Sequence, residues 1–212
     1  MDLIFFGMQG AGKGTIGLAV AEKYNLKVFE TGGQLRKLAQ EDSELGKKIK
    51  SIIEAGHLVP NEVVMDMVED FMNHLPENSS ILFDGIPRSV DQAETLKTLL
   101  DKHNRTYTAV LIEIKEETAL RRLTTRRLCG KCKTVYPAAY EKDTCEKCGG
   151  ELITRADDNV EAIKTRIDAF RNETVPAMEL FANKLVKIDG EPSIEEVAKL
   201  AVIALDPIMK IS

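Results

Sequence analysis

The stretch that most constrains this chain is GMQGAGKGT (7–15), which follows a run of bare hydrophobic residues. Glycine is entropically costly to order, and a lysine beside a buried strand needs a counter-charge. The pattern G-x-x-x-x-G-K between a strand and a helix is typical of a phosphate-binding loop, whose backbone N–H groups converge on an anion. We therefore predict that Lys13 reaches the outer phosphates. The flanking strand and helix disfavour the alternative, a glycine-rich turn with a surface lysine.

Short apolar runs recur along the chain, and helical patterns separate them. Most of the runs are continuous rather than alternating, which is typical of strands that are covered on both faces. They are LIFF (3–6), LKVF (26–29), ILF (81–83), AVLIEI (109–114) and LVKI (185–188). Strand and helix alternate over the whole length, and this alternation predicts an α/β fold with a doubly wound, five-stranded parallel sheet.

Two segments interrupt this alternation. Residues 31–59 are helical and polar, and residues 128–154 contain the cysteines, three glycines and little helical periodicity. We predict that both are insertions that emerge from one edge of the sheet. The predicted core domain consists of residues 1–30, 60–121 and 155–212, and the insertions are residues 31–59 and 122–154.

Local signals predict how three helical regions are built. Ile16, Ala19, Val20 and Tyr24 share one face of the helix after the glycine loop. Pro176 is expected to split the helical region 159–183, because proline lacks a backbone donor. Ser193 and Glu196 have the spacing of a capping box, which predicts the start of the last helix.

Bulk properties exclude several classes of function. The 212 residues suffice for one sizeable core, and the net charge of −5 argues against a nucleic-acid partner, which needs a basic face. No stretch approaches the roughly 20 apolar residues of a membrane span. The N-terminus lacks a basic region followed by a long apolar one, so we expect no signal peptide, no membrane partner and a cytoplasmic protein.

All four cysteines lie in two CxxC pairs, Cys129/Cys132 and Cys145/Cys148. Two such hairpins converge naturally on one tetrahedral ion, and four thiolates suit zinc in a closed structural site. Iron or cobalt could occupy the same tetrahedron. The alternative of two local disulfides is disfavoured in a reducing compartment and is strained at this spacing. Because four thiolates leave no position open for water, we predict a structural metal.

The hydroxyl after the lysine is shifted by one position: Gly14 follows Lys13, and Thr15 comes next. This GKGT resembles the nucleoside monophosphate kinases, and the adenylate kinases above all. The resemblance extends to ETGGQLR (30–36), FDGIPRSVDQ (83–92) and TRADD (154–158), in order and over essentially the whole chain. It implies a P-loop kinase fold in which 31–59 binds the nucleoside monophosphate and 122–154 is a zinc-binding lid.

The resemblance also implies roles for individual residues. It assigns donor (ATP) contacts to Gly10, Ala11, Gly12, Lys13, Gly14, Thr15, Arg122 and Arg126. It assigns acceptor (AMP) contacts to Thr31, Arg36, Leu58, Val59, Val64, Gly85, Arg88, Gln92, Arg155 and Arg166. The implied catalytic set is Lys13, Asp84, Arg88, Arg126, Arg155 and Arg166. Asp84 ends an apolar strand at its carboxyl edge, where a carboxylate orients Mg²⁺ and its waters.

Some of these roles have structural alternatives. Gln92 is expected to read the adenine edge, but Ser89-x-x-Gln92 is itself a capping box, and one side chain cannot easily do both. For Leu58, Val59 and Val64 the alternative is plain core packing. Arg122 would stack on the donor base, and Arg127 is expected to be a structural partner.

The chain departs from the family pattern at Gly33, where the motif TGD carries an aspartate. By the resemblance, that carboxylate helps to hold the hydration shell of magnesium. We therefore expect Asp84 to act alone, with a weaker dependence on magnesium.

The resemblance implies reversible phosphoryl transfer from Mg-ATP to AMP, giving two ADP, and, because most relatives work as monomers, a monomeric enzyme. The open alternatives are a GTP-dependent or other nucleoside monophosphate kinase and, from another class, a nucleotide sensor that does not turn over. A zinc-ribbon module that binds RNA is opposed by the acidic balance and the few aromatic residues.

Overall fold

The computed structural model of the chain describes residues 1–210, so the last two residues of the predicted core segment 155–212 lie outside the description. The strands are β1 Asp2–Phe6, β2 Lys27–Glu30, β3 Ile81–Asp84, β4 Tyr107–Glu113, β5 Arg127–Cys129, β6 Val135–Tyr136, β7 Leu152–Ile153 and β8 Leu185–Asp189. The helices are α1 Lys13–Tyr24, α2 Thr31–Leu38, α3 Glu44–Glu54, α4 Asn61–Asn73, α5 Val90–Lys102, α6 Glu116–Thr125, α7 Val160–Ala169, α8 Val175–Glu179 and α9 Ile194–Met209.

Five of the strands form one parallel sheet in the order β2-β3-β1-β4-β8. Each of the five apolar runs forms one of these strands, and the predicted doubly wound α/β fold is confirmed. The connection after β1 leads to β2 on one side of the sheet, whereas the connection after β3 leads back past β1 to β4 on the other side. Ligands bind at such a change in strand order. The loop after β1 therefore lies where an open α/β sheet places its functional site.

Both faces of the sheet are buried at its three central strands β3, β1 and β4, which explains why these strands are almost entirely apolar. Ile4 and Phe6 of β1 pack into the larger core, beneath α4 and α5. Leu3 and Phe5 pack into a second core on the opposite face, beneath α1 and α9. Because side chains alternate between the faces of a strand, no position of β1 in this stretch could be polar without entering one of these cores.

The predicted apolar face of α1 is only partly right. Ile16 and Val20 are fully buried, but Ala19 is exposed, and Gly17 and Ala21 are buried instead. Gly17 lies directly against Leu82 of β3, and a Cβ atom there would come within 3.3 Å of the leucine. The glycine lets α1 lie close to the sheet, so the buried face of the helix is centred nearer to Gly17 than the sequence pattern predicts.

Two other local predictions concern helix boundaries. The helical region around Pro176 does divide, through a π-helical turn at Phe170–Thr174 that precedes the proline in the first turn of α8. The capping box at the start of α9 is confirmed: Ser193 Oγ accepts from Glu196 N at 3.3 Å, and Glu196 accepts from Ser193 N at 3.0 Å. Among residues 1–210, no helix combines the length and apolarity needed to cross a membrane.

The two interruptions of the alternation have structures of their own. The first, between β2 and α4, contains α2 and α3, and the second carries a small antiparallel sheet in the order β6-β5-β7. Each insertion follows a strand or helix of the core and returns to it. The exact domain bounds given above remain predictions.

Candidate active site

The loop between β1 and α1 wraps around the side chain of Lys13. Lys13 Nζ donates to Gly7 O at 2.5 Å and to Met8 O at 3.2 Å. Gly10 has φ +86°, and a Cβ atom there would come within 3.0 Å of the carbonyl oxygen of Ala119. A residue with a side chain would therefore push the loop away from α6, so the glycine fixes both the curvature of the loop and its contact with the helix.

The ammonium group of Lys13 lies in a strongly cationic environment. Burial lowers its pKa to about 8, and the nearby charges of Arg88, Arg166 and Arg126 act in the same direction, while Asp84 acts in the opposite direction. Such crowding of like charges is unfavourable unless an anion joins them. The arrangement suits a ligand that carries several negative charges.

Asp84 ends β3 beside this loop and supplies the negative charge that acts on the lysine. It is only 7% exposed, and burial raises the pKa of its carboxyl group, against the effect of Lys13. Within residues 1–210 its carboxylate accepts no hydrogen bond and forms no ion pair. A buried carboxylate without a partner is costly, and carboxylate oxygens are ligands that Mg²⁺ or its bound waters accept. The residue therefore fits the predicted role toward magnesium.

Arginines from separate segments of the chain surround the same place. Arg88, in the loop after β3, lines one cleft with Gly7, Lys13 and Gly85, and its Nε donates to Gly85 O at 2.8 Å. Burial and the neighbouring Arg166 lower the pKa of Arg88. The six residues of the predicted catalytic set form one electrostatically connected network: Lys13, Asp84, Arg88, Arg126, Arg155 and Arg166.

Arg155 differs from its neighbours because part of its guanidinium is unsatisfied. Its Nε is buried and has no hydrogen-bond partner in the described part of the chain. Burial lowers the pKa of Arg155 to about 10, with further contributions from Arg126 and Arg36. A buried donor without a partner is a specific place for an anionic oxygen.

Two buried aspartates that the sequence analysis did not single out hold the other arginines. Asp158 accepts from Arg126 Nε at 2.6 Å and from Arg166 at 3.1 Å, and Asp157 O accepts from Arg166 at 2.9 Å. Both aspartates stand in the motif TRADD, but its letters alone do not indicate that they pair with Arg126 and Arg166. The Asp157 carboxylate also lies 3.3 Å from Arg166, so both carboxylates help to orient the two arginines and partly neutralise them.

Arg122 bridges the glycine loop and the turn before α9. It donates to Gly10 O at 3.4 Å, to Glu191 O at 3.1 Å and to Pro192 O at 3.3 Å. These bonds fix one edge of its guanidinium. The predicted stacking of its face on a donor base remains a prediction.

The predicted acceptor residues occupy different environments. Val59 and Val64 belong to the main core, so packing accounts for both of them, whereas Leu58 is half-buried. Thr31, the first residue of α2, is 2% exposed, and its Oγ1 has no hydrogen-bond partner among the described residues. Arg36, one turn later, pairs with Glu30 at 3.0 Å. Thr31 therefore offers a free buried hydroxyl to a ligand.

Gln92 is engaged at the start of α5, but not as a full capping box. Ser89 Oγ accepts from Gln92 N at 3.3 Å, whereas the Gln92 side-chain oxygen accepts from Arg88 N at 2.8 Å rather than from Ser89 N. Only the oxygen of the amide is used in this way. Its NH₂ group has no hydrogen-bond partner in residues 1–210, so helix capping and recognition of a ligand are compatible.

The four cysteines form one cluster, and their sulfur atoms all lie within 4.8 Å of one another. Distances of 3.4 Å join Cys129 to Cys148 and Cys132 to Cys145, across the two CxxC pairs. This pairing contradicts local disulfides, and all four cysteines are free. Bonds of about 2.3 Å to a tetrahedral zinc ion place sulfurs roughly 3.8 Å apart, so the cluster fits such an ion.

A small core supports this cluster. Tyr136 is buried with Cys129, Cys145 and Leu152. Its hydroxyl accepts from Glu146 N at 3.2 Å and lies 3.1 Å from Cys145 Sγ, to which its own proton can be donated. Such outer hydrogen bonds orient ligand atoms and tune a metal site. No pattern in the sequence distinguished this tyrosine.

The chain is similar to known proteins over most of its length. The family model "Adenylate kinase" matches residues 5–186. The adenylate kinase of Alkaliphilus oremlandii is 40% identical over 204 residues, which cover 93% of this chain and 94% of that protein. The adenylate kinase of Archaeoglobus fulgidus is 38% identical over 94% of this chain and 95% of that protein. The adenylate kinase of Staphylococcus epidermidis is 36% identical over 97% and 99%.

Proposed function

The chain belongs to the adenylate kinase family and transfers a phosphoryl group reversibly between ATP and AMP, and we propose that Lys13, Asp84 and the arginines around them carry out this transfer. The observation that carries the proposal is the crowding of cationic side chains on Lys13, whose pKa falls to about 8 through burial. The substrate pair, ATP with AMP or two ADP, carries four phosphates and supplies the negative charge that this cluster lacks. Transfer of this kind depends on positioning and charge neutralisation more than on a protein base.

The donor is bound by the glycine loop. Backbone N–H groups of residues 10–15 and the N-terminus of α1 hold its inner phosphates, and Lys13 moves its hydrogen bonds from Gly7 O and Met8 O to the phosphate oxygens. Asp84, whose carboxylate has no other partner, would hold Mg²⁺, and the bound ion would supply neutralisation of the charge that develops on the phosphates. Arg122 places its guanidinium face beneath the donor base.

The acceptor is bound from the opposite side. Arg36 and Arg88 grip the phosphate of AMP, and Thr31 Oγ1 donates to the nucleotide. The NH₂ group of Gln92 donates to the adenine ring, while its oxygen remains on Arg88 N. The amide of Gln92 can therefore select adenine while it keeps the hydrogen bond at the start of α5.

The transferring phosphoryl group lies between the two nucleotides, where Arg126, Arg155 and Arg166 converge. Their donors match the equatorial oxygens that carry charge in the transition state. The two insertions, 31–59 and 122–154, close over the bound nucleotides. Closure excludes water, which would otherwise hydrolyse the donor.

The metal of the lid is Zn²⁺, held by Cys129, Cys132, Cys145 and Cys148. Four thiolates leave no open position, so the ion takes no part in the chemistry. Its task is to fold a segment too short to build its own core. We also propose that the enzyme works as a monomer in the cytoplasm.

A coupled assay of ADP formation tests the assignment of donor and acceptor. ATP and GTP are each combined with AMP, GMP, CMP and UMP, with zinc-loaded protein and MgCl₂. We expect the highest kcat/KM for ATP with AMP. A higher value for another pair would reassign the substrates, and binding of nucleotides without formation of a diphosphate would support a sensor instead.

A further inference from the structure

We infer that Glu30 is a second magnesium-directed carboxylate of this enzyme, acting beside Asp84 on the waters of the bound ion. The inference rests on the proposed phosphoryl transfer and deepens it. It also replaces the expectation that Asp84 acts alone because residue 33 is a glycine. Three observations carry it: the position of the two strand ends, the space above Gly33 and the free oxygen of Glu30.

Glu30 and Asp84 end neighbouring strands at the same level. They are register partners in the parallel pair of β2 and β3. Phe29 and Phe83, one residue earlier, both point into the larger core, so Glu30 and Asp84 both point to the opposite face. That face carries α1, which begins with Lys13. Glu30 is close enough to contribute to the raised pKa of Asp84, although burial is the main cause.

The carboxylate of Glu30 fills the space that a side chain at position 33 would need. A Cβ atom on Gly33 would overlap Glu30 Oε2, and one on Gly32 would come within 3.1 Å of Oε1 and 2.9 Å of Arg36. The two glycines therefore make room for Glu30 and its partner. A carboxylate from the end of β2 replaces one that would otherwise come from the first turn of α2.

Only one oxygen of Glu30 is occupied. Its Oε1 accepts from Arg36 at 3.0 Å, whereas Oε2 has no hydrogen-bond or ion-pair partner within residues 1–210. The side chain is 45% exposed, so water reaches it. Magnesium keeps several waters in kinases and is held by one or two carboxylates together with the phosphates. Asp84 and Glu30 Oε2 are two unpartnered acceptors of this kind, at the ends of adjacent strands.

A titration of Mn²⁺, followed by electron paramagnetic resonance, tests this inference without turnover. The zinc-loaded protein is first saturated with two adenosines bridged by five phosphates. Free Mn²⁺ is then measured for the native chain, for Glu30→Gln and for Asp84→Asn as a positive control. The amide oxygen introduced by Glu30→Gln can still accept from Arg36, so this variant removes the charge and keeps the bond.

We expect Glu30→Gln to raise the Kd for Mn²⁺ by roughly tenfold, as other outer-sphere losses do. We expect Glu30→Ala to do the same, and we expect Glu30→Ala/Gly33→Asp to recover most of the affinity. Unchanged Mn²⁺ affinity in Glu30→Gln, with a loss in Asp84→Asn, would overturn the inference and leave Glu30 as a positioning residue for Arg36. Failure of the native chain to bind the bridged nucleotide would instead contradict the proposed function.

Discussion

Arg126 donates two hydrogen bonds to Asp158, from Nε at 2.6 Å and from a terminal nitrogen at 2.7 Å, and the Asp158 side chain is completely buried. Arg166 donates to the same carboxylate. One buried aspartate thus orients two of the arginines that we assign to the transferring phosphoryl group. Their positive charge is held in place before any nucleotide binds, which is the condition for electrostatic preorganisation.

Replacing this aspartate should therefore affect both stability and activity. We expect Asp158→Asn to lower the free energy of unfolding by about 3 kcal/mol, because two arginines lose a buried partner. We expect kcat to fall by about tenfold to a hundredfold, because the same arginines lose their orientation. Urea denaturation and the coupled assay measure the two effects.

The matched control is Asp143→Asn, which breaks a pair with Arg127 on the surface of the lid at 2.8 Å. Because Asp143 is almost fully exposed, the loss should stay below about 1 kcal/mol and leave kcat unchanged. Equal effects of the two variants would contradict the role given to Asp158.

Removal of Lys13 should separate activity from stability. We expect Lys13→Met to cost about 3–4 kcal/mol of transition-state stabilisation, seen as a fall in kcat of roughly two to three orders of magnitude. The Tm at pH 7 should stay the same or rise, because burial disfavours the charged lysine. Lys23→Met, on the exposed side of α1, serves as control. Near-normal turnover in Lys13→Met would contradict the assignment.

The pKa of Lys13 predicts how affinity for the donor depends on pH. Burial lowers this pKa to about 8, so the lysine of the free protein is charged at pH 7 and mostly neutral at pH 9. The charged form binds phosphate, and the apparent Kd for a non-hydrolysable ATP analogue should rise by about tenfold between these values. Calorimetry across this range measures the change. The same rise in Lys13→Met would assign the titration to another group.

Loss of the lid metal should unfold the lid and not the sheet. We expect one zinc ion per chain by elemental analysis, and a fall in Tm of roughly 5 °C or more after chelation. Tyr136→Phe should release zinc more readily, because Cys145 loses the adjacent hydroxyl. A chelated protein that keeps both its Tm and the protease resistance of 122–154 would show that the cysteines carry no structural metal.

Much of the fold was predictable because its signals are local. The three central strands are apolar on both faces, the two edge strands are partly so, and the glycine loop has a fixed spacing between strand and helix. The cysteine pairs likewise predict a cluster, because each CxxC places two sulfur atoms near each other. In all three cases the residues that matter are neighbours in the sequence.

Other features depend on which side chain fills a given space, and these were not predictable. Ala19 lies outside the buried face of α1 because Gly17 lets the helix approach Leu82. Gly33 indicated a missing carboxylate, whereas the folded chain puts the carboxylate of Glu30 there. The motif TRADD includes Asp158, but no pattern in the sequence indicates that its carboxylate pairs with both Arg126 and Arg166.

Incubation with ADP and MgCl₂ alone, followed by phosphorus NMR, tests the central claim most directly. Two ADP molecules fill both nucleotide sites, so the native chain should produce ATP and AMP in equal amounts until equilibrium is reached, and Lys13→Met should do so roughly a hundredfold more slowly or worse. Unchanged ADP, or release of inorganic phosphate in place of ATP, would contradict phosphoryl transfer between two bound nucleotides.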